Sequence, residues 1–149
     1  MASRYGLEIR AATAADAAGL SELLRAAGQT VSPAVLAERL DALRQAPGAA
    51  LVAMEWGPPS GLVLLHWYRS LDASAPTAQI TTLLVGPEER RRGIGRLLIK
   101  AASQAARTAG CGDLQIQVGS DQPDLQAFAD ATGFAGGGKI LVRPLRKKG

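Results

Sequence analysis

Hydrophobic positions along the chain change period several times, and each change marks an element. Leu7-Glu8-Ile9-Arg10 alternates and predicts a first strand. Thr13 and Asp16 have the spacing of a capping box, after which Ala17, Leu20, Leu23, Leu24 and Ala27 share one helical face. Ser32-Pro33 supplies a cap and a first-turn proline for a second helix carrying Leu36, Leu40 and Leu43, which Pro47-Gly48 ends. The runs 50–55 and 62–67 flank Gly57-Pro58-Pro59-Ser60-Gly61 and predict a hairpin. Residues 78–85 form a β-branched and apolar run closed by Gly86-Pro87.

A third helix begins near Gly93. It turns Ile94, Leu97, Leu98, Ala101, Ala102 and Ala105 inward and Arg96, Lys100 and Arg107 outward, and Gly110 stops it. Leu114 to Val118 alternates as another strand. Pro123 opens a fourth helix with Leu125, Phe128, Ala129 and Thr132 on one face, and Gly133 ends it. After Gly136-Gly137-Gly138, Ile140 to Val142 predicts a last strand. The order β-α-α-β-β-β-α-β-α-β describes a mixed α/β chain.

Composition adds bounds. A length of 149 residues suits one domain, expected over 4–145 and followed by a basic tail, 146–149. No run of 18 apolar residues exists, the start has no apolar signal stretch, and Cys111 is the only cysteine. These features favour a soluble cytoplasmic protein with no internal disulfide and no membrane partner. No metal site is expected.

The charge is unevenly spread. Residues 1–89 carry six Lys/Arg and nine Asp/Glu, while residues 90–149 carry eleven Lys/Arg and four Asp/Glu. A basic C-terminal part points to an anionic ligand there, and the acidic excess before it to a cationic acceptor.

Arg90-Arg91-Arg92-Gly93-Ile94-Gly95-Arg96 sits between a strand and a helix. The first helical turn leaves N–H groups unpaired and carries partial positive charge, so it can receive a phosphate. Glycines at 93 and 95 allow close approach. Cationic side chains at such a terminus oppose the helix dipole, and an anion resolves that conflict. The P-loop pattern is absent, and Leu98 occupies the third glycine position of the dinucleotide fingerprint.

Leu84-Val85-Gly86-Pro87 followed by Arg90-x-x-Gly93-x-Gly95 resembles the acetyl-CoA signature of the GNAT superfamily of N-acetyltransferases, and Ala131-Thr132-Gly133-Phe134 resembles the end of that family's second motif. The resemblance runs from about Arg4 to Leu145. It implies an α/β (α+β) fold with a mixed, mostly antiparallel sheet of about six to seven strands flanked by about four helices. It also implies acetyl-CoA as acetyl donor and direct attack by a primary amine of a small molecule or peptide.

Residue by residue, the resemblance implies that backbone N–H groups from Arg91, Arg92, Gly93, Ile94, Gly95 and Arg96 hold the pyrophosphate, approached by Arg90. Leu83, Leu84 and Val85 would bond the pantetheine arm between splayed strands, a backbone N–H there would polarise the thioester carbonyl, and Gln122 and Phe128 would complete the cofactor site. Dimers are common in the family, which leaves a homodimer open.

The chain departs from the family at both proton-transfer positions. Ala129 stands where many members carry a tyrosine acid. No carboxylate lies between Asp72 and Glu88, where many carry a glutamate base. His66, on the strand expected beside residues 78–85, is the candidate base, because imidazole changes charge near neutral pH. Tyr68 is the candidate acid or a wall of the acceptor pocket. Asp121 reads as a helix cap and Cys111 as a packed thiol. Two other functions stand beside catalysis: an acetyl-CoA sensor without turnover, and a nucleic-acid module using Arg90 to Arg96 and the basic tail. With 4% aromatic residues the chain has few stacking platforms, which argues against nucleic acid.

Overall fold

The computed structural model describes residues 6–87 and 93–146. Its strands are β1 (Glu8–Ala11), β2 (Gly48–Met54), β3 (Gly61–Tyr68), β4 (Thr77–Val85) and β5 (Asp113–Ile116). Its helices are α1 (Ala17–Ala26), α2 (Pro33–Arg44), α3 (Ile94–Thr108) and α4 (Pro123–Ala131). The strands lie side by side in chain order, antiparallel from β1 to β4 and parallel between β4 and β5. A parallel neighbour needs a crossover, and α3 provides it.

The sheet among the described residues has five strands, not six to seven. Ile140 to Val142 has strand-like alternation but pairs with nothing among the described residues, and Leu141 is 88% exposed. A strand exists only with a neighbour to bond, so the pattern alone does not make one.

The two faces of the sheet bury different helices. Val63, Leu65, Ala78 and Ile80 pack with Ile94, Leu98, Ile99, Ala102 and Ala106 of α3. On the other face Val52 and Leu62 pack with Leu20 and Leu23 of α1 and Leu40 of α2. The α3 stripe is rotated from the expected one: Ile99 and Ala106 are buried, whereas Leu97, Ala101 and Ala105 are half-buried.

One irregularity sets the faces of β4. Leu64 pairs with Thr82 and Leu65 with Ile80, so Thr81 is an extra residue in the ladder. Such a bulge shifts the alternation by one. Leu83 and Val85 therefore join Ile80 on the α3 face, and Leu84 joins the α1/α2 cluster.

The Thr13–Asp16 pair is a charged anchor as well as a cap. Asp16 accepts from the Thr13 N–H at 2.9 Å and from two Arg10 guanidinium nitrogens at 2.9 and 2.7 Å. The Arg10 guanidinium, bonded through both terminal nitrogens, holds the buried Asp16 carboxyl below the usual carboxylate range. A lowered folded value means that the stabilisation is present above about pH 4 and is lost as pH falls through the folded value. Asp16→Asn is expected to remove this acid dependence and to cost about 1–3 kcal/mol, toward the lower figure because Arg10 can return to water. Chemical denaturation of both proteins at pH 7 and at about pH 3 checks this.

Candidate functional site

Beyond Ile80, β4 loses its second neighbour. Its pairing with β5 ends at Ile80–Ile116, while β4 continues to Val85 against β3 alone. The Gly86 N–H donates to the Ser60 carbonyl, and the Leu84 carbonyl lies against Gly61, so both face β3. Backbone groups alternate sides along a strand, which turns those of Leu83 and Val85 toward the gap left by β5.

That gap is a cleft of about 620 Å³. The end of β4 forms one wall with Leu83, Leu84 and Val85. The start of α3 forms a second with Gly93, Gly95 and Arg96, and the start of α4 closes it with Gln122, Leu125 and Phe128. A second hollow of about 390 Å³ shares Leu83, Leu84, Gln122 and Leu125 with it and extends to Thr81, Thr82, Gln117 and Gln29.

Gly93 caps α3 at φ 78° and ψ 15°, a left-handed conformation that glycine adopts without strain. Among the described residues no side chain caps this helix, and its first turn holds no acid but the exposed Arg96. The neighbouring α4 has Pro123 and Asp124 in its first turn, which suit a helix start. Among the described residues, the start of α4 carries an acid in its first turn and that of α3 carries a cation instead. Gly95 matters for packing, since a Cβ there would meet the Phe128 ring at 3.0 Å. Its bareness lets α4 pack against α3 and so sets the cleft's width.

Gln122 is held in place by its loop. Its side-chain oxygen accepts from the Gly119 N–H at 2.8 Å, and its own N–H donates to the Gly119 carbonyl at 3.1 Å. The tight turn brings the start of α4 against the gap.

The structure thus gathers Leu83, Leu84, Val85, Gly93, Gly95, Arg96, Gln122 and Phe128 around one cleft. Ile94 is in the core at 1% exposure and does not line the cleft, and Ala129 is buried. Arg90, Arg91 and Arg92 lie outside the described residues. His66 is not in either lining, but its Nε2 lies 3.1 Å from the Thr81 hydroxyl, and Thr81 lines the second hollow. Tyr68 is at the far end of β3, opposite Thr77, and lines neither. In the sequence Thr81 and Thr82 stand near the place of the family's glutamate but carry no role, and the two-threonine setting gives no sign of a bulge. The acids lining these hollows among the described residues, Asp121 and Asp124, come from the C-terminal part of the chain and not from its acidic first part.

Burial raises the Cys111 thiol above its ordinary range, as expected of a packed cysteine. Among the described residues no group of three or more His, Cys, Asp or Glu could hold a metal ion, and no helix is long and apolar enough to cross a membrane.

Comparison with known proteins agrees with this fold. A solved protein from Agrobacterium tumefaciens, provisionally assigned as an acetyltransferase, is 26% identical, with 92% of this chain and 99% of that chain covered and a TM-score of 0.81. An aminoglycoside N-acetyltransferase in complex with CoA is 19% identical over 94% of this chain and 95% of that one, with a TM-score of 0.81. An aminoglycoside acetyltransferase from an uncultured soil metagenomic sample, in complex with sisomicin, is 20% identical over 96% and 97%, with a TM-score of 0.75. None of the curated proteins compared with the chain matches it. The sequence profile of the acetyltransferase (GNAT) family matches residues 18–134, and the chain belongs to that family.

Proposed function

We propose that the protein is an acetyl-CoA-dependent N-acetyltransferase acting on a primary amine of a small molecule or peptide. The observation that carries this reading is the glycine-led start of α3, with Arg96 and no acid in its first turn, facing a cleft whose other wall is the half-paired end of β4. One side supplies N–H donors and Arg96 for a pyrophosphate, and the other supplies strand-like backbone groups for an amide-bearing arm. Both halves of CoA thus find a chemically matched wall.

When bound, acetyl-CoA supplies the activated thioester. Leu83 and Val85 hold the arm, and a backbone N–H in this stretch polarises the thioester carbonyl. The amine enters from the hollow bordered by Thr81, Thr82 and Gln117. An alkylamine is almost wholly protonated at neutral pH, so a proton must leave before attack. The Thr81 hydroxyl passes it toward His66 Nε2. As the N–C bond forms and the C–S bond breaks, the second amine proton would pass to the departing thiolate and give the free thiol, so the scheme needs no dedicated acid.

Release of free CoA thiol across a panel of amines tests the reading. Turnover with at least one amine is expected, with His66→Gln lowering kcat about a hundredfold and leaving the KM for acetyl-CoA unchanged. A His66→Gln enzyme with full kcat removes His66 from the scheme. The buried Ala129 methyl, where a tyrosine acid would stand, favours a second reading: acetyl-CoA binding without turnover. Tight binding with no thiol release from any amine selects it.

A further inference from the structure

The second hollow, about 390 Å³, lacks the chemistry of a polycation site. Gln29, Thr81, Thr82, Gln117 and Gln122 supply its polar side chains, and leucines, isoleucines and Gly119 make up the rest. Among the described residues that line it none is charged. A second ammonium group entering here would lose water and meet no carboxylate. The acids of the neighbouring cleft, Asp121 and Asp124, do not line this hollow.

Two of the glutamines reach it from different elements. Gln29 follows α1 in a tight turn. Gly28, at φ 87°, donates its N–H to the Arg25 carbonyl, and Gln29 donates its own to the Leu24 carbonyl, each at 2.9 Å. Two residues on, the Val31 carbonyl accepts from the buried Ser21 hydroxyl at 2.6 Å. Gln29 thus stands in a loop bonded to α1 on both sides. Gln117 is the first residue beyond Ile116, the last β5 residue paired with β4. Both glutamines are exposed, and neither lines the larger cleft.

We propose that the acceptor is an α-amino amide, a peptide N-terminus or a free amino-acid amide, whose amide group is read by Gln29 and Gln117. The inference rests on the acetyl-transfer reading above and names its acceptor. A carboxamide side chain offers an acceptor and donors together, the complement of a substrate amide's N–H and C=O. It does not neutralise a second charge. The amine's own chemistry points the same way. The proton path given above ends on an imidazole, a weaker base than an alkylamine. Near neutral pH roughly one α-amine in ten is uncharged, against about one alkylamine in two thousand. An α-amine therefore suits a hollow whose lining offers no carboxylate base among the described residues. Its nitrogen takes the acetyl carbon from sulfur, giving the N-acetyl product and free CoA thiol.

The test compares alaninamide, trialaninamide, alanine and 1,4-diaminobutane at neutral pH. Each is titrated calorimetrically into CoA-saturated protein and assayed for thiol release with acetyl-CoA. At least one amide is expected to bind about tenfold more tightly than the diamine or alanine, whose added charges meet no partner in the hollow. Trialaninamide binding the better would assign a peptide N-terminus, and alaninamide binding the better a free amide; either supports the proposal. Gln29→Leu and Gln117→Leu should each raise the amide's dissociation constant about tenfold, as loss of a hydrogen bond does, and leave that of acetyl-CoA unchanged. Gln117→Glu should shift preference toward the diamine. An amide that binds without thiol release would uphold the acceptor assignment and defeat the transfer reading alone. A diamine bound as tightly as the amides, wild-type amide affinity in either leucine variant, or no binding of either amide would overturn the proposal.

Discussion

Arg96→Glu is expected to lower acetyl-CoA affinity about a hundredfold while leaving the protein as stable as before or slightly more so. Arg96 is exposed at the third position of α3 and lines the cleft. Removing a charge-assisted contact to a phosphate costs about 1.5–3 kcal/mol, and the new carboxylate adds repulsion. Yet a carboxylate in the first turn interacts well with the helix dipole, by about 0.3–1 kcal/mol. The two effects have opposite signs because the cleft, not the helix, calls for positive charge there. Titration calorimetry and thermal unfolding on the same sample separate them. A variant that loses stability and affinity together would mean that Arg96 supports the fold.

Leu98→Ala is expected to reduce the unfolding free energy by about 2–5 kcal/mol. Leu98 has 0% exposure and sits where α3 crosses the sheet. It rests on Gly61 of β3, where even a Cβ would come within 2.9 Å of its Cδ1. The side chain thus fixes the height of α3 above the sheet, and with it the distance from the start of α3 to the end of β4. For a chain of this length the loss corresponds to a fall in Tm on the order of 5–15 °C. Thermal unfolding followed by circular dichroism measures it. A fall of one or two degrees would mean that the α3 contact closes over the cavity easily.

The elements were legible wherever one period persisted. The apolar stripe of α1 from Ala17 to Leu24, the hairpin around Gly57 to Gly61 and the four-residue spacing of Leu125 and Ala129 appear in the structure at the expected places, whereas Ala27 lies past the end of α1 and is exposed. So does the meeting of residues 83–85 with the Gly93–Arg96 turn, since a strand, a short turn and a helix leave few ways to arrange them. What stayed hidden depends on partners. The bulge at Thr81 is a property of the β3–β4 ladder, and no residue type announces it. The Arg10–Asp16 pair joins β1 to the short turn that follows it, and the local signal revealed only the Thr13 half of it. Ile140 to Val142 carries the alternation of a strand, but alternation cannot say whether a neighbour exists within the same chain. His66 could be noticed as the only histidine, whereas its link to the cleft through Thr81 needed the register.

The central claim is that the start of α3 and the free edge of β4 together hold acetyl-CoA. Calorimetric titration of the purified protein with acetyl-CoA, beside CoA and ATP, tests it most directly. Binding of acetyl-CoA and CoA with a dissociation constant on the order of micromolar, and far weaker binding of ATP, is expected because only the first two present a pantetheine arm to Leu83 and Val85. A folded protein that gives no heat with acetyl-CoA, or that binds ATP as tightly, would contradict the claim.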